Sequence, residues 1–557
     1  MESTDSQAED FLKIAHQFKL GMLVTEAFHP KTIGLSHYAQ EDVHKAISML
    51  KGLDLDLLQY LESKFDAADT VNLINAFKKT LDEGHRIFMC GCGSTGRLSA
   101  TIETLWRQYW NRSPEGEKKK EQVIGFVAGG DIALIKAVED FEDHTTFAAQ
   151  QLEELGFGEG DLLIAGTESG VTPWVIRATN YAAEKAKTGK YPKPFFVYCN
   201  PDEILIENIE RSKEVLLNDY IMKLNVCVGP MAVTGSTRMQ ASTAVMYLLG
   251  KCLFLACEPD KVAKTEITSF KAFLEKSDLS GLAPFIEAES KLYADGNYIF
   301  YETIADYAIT VLTDTTERSP TFSLHPFENA MDSEETKRQK HSLCHLLLAD
   351  NRKPDYEHYK EHSINGWKAM LAGREVRPLE GEPWEKYKEI TTKDRIYEHI
   401  FTREIIELRK KYCRKDSIHK ILKIDKIDSN LEFTLRDIDS EPYLKFTLDI
   451  SDLKGNSLLE HTLLKIILNI QSTLVVGRMK RYESNLMTYV RPSNNKLIDR
   501  SIRYVMHLLT QKGIEEYNTY RDVCYELFRQ MPLTSADEPI VLKTLNAITQ
   551  RIHSPTR

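Results

Sequence analysis

Four short stretches of this chain gather glycines and hydroxyls in patterns that suit an anion: C-G-C-G-S-T-G-R (Cys90 to Arg97), V-A-G-G-D (Val127 to Asp131), G-T-E-S-G-V-T-P (Gly166 to Pro173) and V-T-G-S-T-R-M (Val233 to Met239). In the first, Gly93, Ser94, Thr95 and Gly96 follow a short apolar run, Arg86 to Cys90. They lead into a helical pattern with Leu98, Thr101, Ile102 and Leu105 on one face. A strand, a small-residue loop and a helix N-terminus bring free backbone N–H groups and the positive end of the helix dipole to one point. Glycines let a ligand approach the backbone, and hydroxyls add donors. Ser169, Gly170 and Thr172 in the third stretch and Ser236, Thr237 and Arg238 in the fourth offer the same chemistry. Each stretch alone is an ordinary turn. Four of them on one edge of one sheet would make a site.

That edge requires a particular architecture. Apolar runs at Ile87 to Cys90, Val123 to Val127, Leu162 to Ala165, Pro194 to Cys199 and Met222 to Val226 are strand-like. Helical runs separate them, notably Thr145 to Leu155, Thr172 to Lys185 and Arg238 to Cys257. Short apolar strands alternating with amphipathic helices predict an α/β, doubly wound parallel sheet, in which ligands sit beyond the carboxyl ends of the strands.

Length, charge and cysteine usage bound the rest. At 557 residues the chain exceeds one core, and 42% apolar with 27% charged residues describes a soluble globular protein. A net charge of −11 supplies no basic excess for nucleic acid, so no nucleic-acid partner is expected. Nine scattered cysteines without C-x-x-C pairs fit reduced thiols in a cytoplasmic compartment, and no His or Cys cluster completes a metal site around Cys90 and Cys92. The acidic start M-E-S-T-D-S-Q is not a signal peptide. The most apolar window, Ala241 to Cys257, contains Lys251 and reads as a buried helix, so no membrane partner is expected.

Residues 1–65 read as a helical segment and 66–285 as the first α/β domain. A second unit over 286–455 opens with N-Y-I-F-Y (Asn297 to Tyr301), which parallels the Arg86 run. Its following loop, E-T-I-A-D, lacks glycine, so its phosphate loop has decayed. Strands are expected at His345 to Leu348, Lys420 to Ile424 and Tyr443 to Asp449, and the charged stretch Asp350 to Tyr412 reads as helical and solvated. Residues 456–557 read as a helical lid, with helices at Leu458 to Val476, Asn495 to Gln511 and Ile514 to Gln530.

Taken in order, these motifs resemble the sugar isomerase (SIS) domain, in the group of bacterial N-acetylmuramic acid 6-phosphate etherases and animal glucokinase regulatory proteins. The etherase pattern G-T-S-G-R-L is similar to Gly93 to Leu98, and A-V-E-G-A-E-D to Ala137 to Asp143. A-S-G-R-T-P-Y-V resembles E-S-G-V-T-P-W-V at Glu168 to Val175, and V-T-G-S-S-R-M-K-A-G-T-A resembles Val233 to Ala244. T-E-A-F-H-P at Thr25 to Pro30, C-N-P at Cys199 to Pro201 and N-L-M at Asn485 to Met487 have counterparts as well. One departure matters: where etherases carry D-A-S-E after the first loop, this chain has Ile102, Glu103, Thr104 and Leu105. The missing acid returns in the second unit, where D-T-T-E-R-S-P-T-F (Asp314 to Phe322) resembles D-A-S-E-C-P-P-T-F.

The resemblance implies two SIS domains fused as a pseudo-dimer. One phosphate site would lie in the first domain and borrow Glu317 from the second, with Lys496 reaching in from the lid. It implies Glu139 as base and Glu317 as acid, two carboxylates in different environments, without metal or organic cofactor. The expected ligand is a sugar phosphate, and the regulatory-protein side of the resemblance allows a sugar kinase as partner. Three readings stay open: an etherase-like lyase acting on an amino-sugar 6-phosphate, a non-catalytic sugar-phosphate sensor, and a sugar-phosphate isomerase. Fold alone does not choose between them.

Overall fold

The computed structural model describes residues 3–114, 116–258, 263–339, 341–350, 352–535 and 537–553, and the side chains of all of these except 139, 140 and 553. The first sheet comprises β1 (Ile87–Gly91), β2 (Val123–Val127), β3 (Leu162–Gly166), β4 (Phe195–Tyr198) and β5 (Met222–Asn225). Every pairing is parallel and the order is β2-β1-β3-β4-β5. β1 to β4 are buried along their whole length, because helices cover both faces of a parallel sheet and leave no position for a solvated side chain. In this order the chain reverses direction across the sheet between β1 and β3, and the loops that leave these two strands face each other over the resulting crevice.

The second sheet repeats the arrangement only in the three strands at one end. β6 (Tyr298–Thr303) pairs in parallel with β7 (Cys344–Leu348) and with β8 (His419–Ile427), matching β1 between β2 and β3. Beyond β8 the sheet turns antiparallel through β9 (Asn430–Asp437) and β10 (Leu444–Asp449). β9 is absent from the expected strands, and an all-parallel second sheet is corrected here to a mixed one. The physical reason lies in the sequence: L-K-F-T-L-D alternates, with Phe446 and Leu448 buried between exposed neighbours, the pattern of an antiparallel strand with one wet face. The β8–β9 connection is a tight turn at Asp428, whose φ is +54°.

The charged stretch 350–412 is a second correction. It is broken into short helices and loops that pack on the first half of the chain instead of standing in solvent. Trp384 is fully buried, donates its indole N–H to Glu154, and stacks among Phe141 and Phe147. Arg377 donates to the backbone carbonyl of Gly125 at 2.9 Å, so this stretch caps the open edge at β2.

The apolar Gln240–Cys257 helix is buried inside the fold, as are most residues of the Ser457–Arg478 helix that runs between the two halves. The helix expected over Ile514 to Gln530 begins only at Tyr520, after the N-cap Thr519, and a further helix spans Ile540–His553.

Candidate functional site

The Gly93–Trp110 helix starts two residues after β1, with Gly93 at φ +52°, a backbone that disfavours any side chain. Gly96 is required for a different reason: a Cβ there would lie 2.4 Å from Val127 Cγ2 and 2.5 Å from the Gly91 carbonyl oxygen. The helix therefore seats directly on the strand ends, and its first turn opens into the crevice.

Across from it, the loop after β3 carries Thr167, Glu168, Ser169, Gly170 and Thr172. Ser94 donates to Glu168 Oε1 at 2.9 Å, and Thr95 donates to Glu168 Oε2 through a short hydrogen bond. Glu168 is 5% exposed. Burial pushes its carboxyl above the ordinary range; the Thr95 and Ser94 hydrogen bonds work against the rise, and the Glu317 charge adds to it. Thr172 hydrogen-bonds Thr167 and donates to Glu142 Oε1 at 3.4 Å.

The second half of the chain enters through the Ala305–Phe322 helix. Glu317 accepts from Arg97 Nη1 at 2.5 Å, and Arg97 Nε donates to the Ala133 carbonyl. Asp314, one turn earlier, accepts from Arg318, Ser472 and Arg238, which sets the rotation of this helix. Arg238 spends its guanidinium on Asp314, Ser472 and Thr473, so it braces the site. Ser236 also lines the crevice, and its Oγ is buried with no hydrogen-bond partner among the described residues.

The mouth is closed by both ends of the chain. Lys496, at the start of the Asn495–Gln511 helix, lies 3.5 Å from Glu142. One turn on, Arg500 forms a two-pronged ion pair with Glu26, which is almost fully buried in the T-E-A-F-H-P stretch. Asn485 donates to the His29 carbonyl and to Thr32, and Asn200 links Thr25 to the backbone of Ser169.

The resulting cleft is open to solvent at its mouth, and the space of about 1030 Å³ between its walls includes that mouth. It brings together Gly93, Ser94, Thr95, Ser169, Thr172, Ser236, Thr237, Arg238, Glu317 and Lys496 from five separate parts of the sequence. Gly96 and Gly170 lie behind the wall as packing positions. The side chain of Glu139 lies outside the described residues; its backbone opens the turn Glu139–Glu142, and Ala137, Val138, Phe141 and Glu142 around it line the cleft. Sequence reasoning did not single out Arg97, Glu142, Glu168 or Arg500 for the site. Arg97 and Glu168 stood inside the quoted motifs, whereas nothing local marks Arg500.

The family model of the glucokinase regulatory protein N-terminal SIS domain matches residues 69–183. N-acetylmuramic acid 6-phosphate etherase of Salmonella typhi is 31% identical over 230 residues, which is 41% of this chain and 68% of that protein. This chain belongs to the SIS family, in the etherase and glucokinase regulatory protein group. N-acetylmuramic acid 6-phosphate etherase 1 of Bacillus licheniformis is 35% identical over 170 residues, 30% of this SIS chain and 49% of that relative. The SIS chain thus spans about half the length of one etherase and two thirds of the other. Among solved structures, phosphoheptose isomerase from Neisseria gonorrhoeae is 16% identical, with a TM-score of 0.25 over 36% of this chain and 91% of its own. The C-terminal domain of glucosamine-fructose-6-phosphate aminotransferase from Francisella tularensis is 11% identical, with a TM-score of 0.34 over 76% and 96%.

Proposed function

We propose that this SIS protein binds an amino-sugar 6-phosphate in the cleft and eliminates lactate from N-acetylmuramic acid 6-phosphate. The observation that carries the reading is the opening of Glu317, from the second half, onto the hydroxyl loop of the first, with Arg97 between them. The phosphate is assigned to Ser94, Thr95, Ser169 and the backbone N–H groups at the helix start, with Lys496 adding positive charge. Glu139 takes the proton from sugar C2. Glu317 protonates the ether oxygen as lactate leaves C3, and water then adds across the double bond. The products are lactate and N-acetylglucosamine 6-phosphate. Incubation of the protein with N-acetylmuramic acid 6-phosphate and an assay for released lactate tests this directly; no release above the uncatalysed rate removes the lyase reading.

A second reading, a non-catalytic sugar-phosphate sensor, is favoured by one contact. Arg97 stands on the carboxylate that the lyase reading uses as acid, so an ion pair within the protein already occupies that side chain. Sugar-phosphate binding without lactate release is the outcome that selects it.

A further inference from the structure

We infer that Glu168 is a built-in occupant of the anion site, so that a ligand phosphate binds by displacing a carboxylate and the displacement is coupled to proton uptake. The inference rests on the sugar-phosphate reading above. Both hydroxyls that the first loop offers, Ser94 and Thr95, already donate to the two oxygens of this one side chain. A phosphate dianion needs the same two donors, and two anions cannot share them.

The backbone cannot carry Glu168 away. Its carbonyl accepts from the Cys199 N–H at 2.9 Å, and on either side Thr167 N–H donates to Val197 and Gly170 N–H donates to Thr167. Release must therefore come from the side chain, by rotation, by protonation, or by both. Among the described residues, the charges that share its cleft are Arg97, Arg238, Lys496 and Arg500 on one side of the balance, Glu142 and Glu317 on the other. The Cys199 thiol lies close by. Arg97, Arg238 and Arg500 are committed to Glu317, Asp314 and Glu26, and Lys496 lies against Glu142, so none of these ion pairs is made with Glu168. A buried carboxylate held by two hydroxyls and a backbone N–H, with a second carboxylate nearby, is one that takes up a proton when another anion arrives. The arrangement makes phosphate affinity rise as pH falls.

The test is calorimetry with N-acetylglucosamine 6-phosphate on the parent, Glu168→Ala and Glu168→Gln between pH 6.5 and 8.5, where the phosphate stays mostly dianionic, in buffers of differing ionisation enthalpy. The parent is expected to bind several-fold tighter at pH 6.5 than at pH 8.5 with net proton uptake. Glu168→Ala is expected to bind on the order of tenfold tighter than the parent at pH 8.5 and to lose the uptake. Glu168→Gln, which keeps the shape, is expected to lose the pH dependence. If the parent binds and Glu168→Ala binds equally or more weakly, or if proton uptake persists in both variants, the sugar-phosphate reading stands and this inference is overturned. Binding to none of the three overturns both.

Discussion

Arg97 and Glu317 meet 220 positions apart in sequence, Nη1 to Oε1 at 2.5 Å, and each comes from the helix that follows the first strand of its own sheet, β1 or β6. Leu105 lies twelve residues beyond Gly93, as Glu317 lies twelve beyond Ala305, so the two positions correspond. The first helix follows a glycine and hydroxyl loop and has leucine at this position, whereas the second follows a loop without glycine and has glutamate there. One cleft is lined by the loop of the first and the glutamate of the second.

Glu317→Gln is near-isosteric and retains a hydrogen-bonding oxygen for Arg97, so folding and most of the ligand affinity should survive. Lactate release should fall on the order of 10²-fold or more if Glu317 serves as general acid. Turnover at the parent rate would exclude a cross-sheet acid, and the lactate assay run beside calorimetry separates loss of chemistry from loss of binding.

Ligand stoichiometry should be one per chain. After β6 the backbone passes through Ile304 into Ala305 without a glycine or hydroxyl, and the helix position that corresponds to Glu317 is the fully buried Leu105. Calorimetric titration that returns two equivalent sites would contradict this geometry.

Ser94→Val and Ser169→Val remove donors and add methyl groups at the crevice without touching the ion pairs around it. Each should weaken sugar-phosphate binding on the order of tenfold, the scale of a lost hydrogen bond to a charged group. Thermal unfolding should move little, and a variant that unfolds earlier while binding normally would mark the residue as structural.

Glu103 is fully buried and holds Arg377 through both oxygens, at 2.7 and 2.8 Å, together with Arg107. Burial alone would raise its carboxyl; the charges of Arg377, Arg374 and Arg107 outweigh that and hold it at about 2, against an ordinary 4.5. Because the folded value is the lower one, the stabilisation is complete above pH 4.5 and is lost as pH falls towards 2. The interval caps it at about 3 kcal/mol. Glu103→Ala should cost roughly 3–5 kcal/mol at neutral pH, since it leaves buried guanidinium groups without their partner. Denaturant titrations at pH 7 and pH 4 check both magnitude and sign, and limited proteolysis should find residues 350–412 more accessible in the variant.

The first sheet and its four loops were legible in the sequence because the signals are local. Apolar runs of four or five residues end in glycine and hydroxyl clusters, and β1 to β5 begin at or within one residue of the expected positions. The motif D-T-T-E-R-S-P-T-F also pointed to Glu317, which lines the cleft of the first half. What composition hid is long-range pairing. The stretch 350–412 reads as solvated because it is charged, yet Arg374 and Arg377 find Glu103 and Asp131 about 250 residues away. Glu168 escaped notice because a carboxylate in a loop carries no local sign that it will close onto two hydroxyls at the start of a distant helix.

The pairing of Glu26 with Arg500 also sets a schedule. The carboxylate leaves the ribosome 474 residues before its guanidinium partner, an interval of roughly 25–95 s at ordinary synthesis rates. During that time the first sheet can form while its rim stays open to water, and the hydroxyl loop and Glu168 are present well before Lys496. A nascent chain arrested before residue 496 would carry the anion cradle without its closure, so the last step in building the cleft is the arrival of the distal helix.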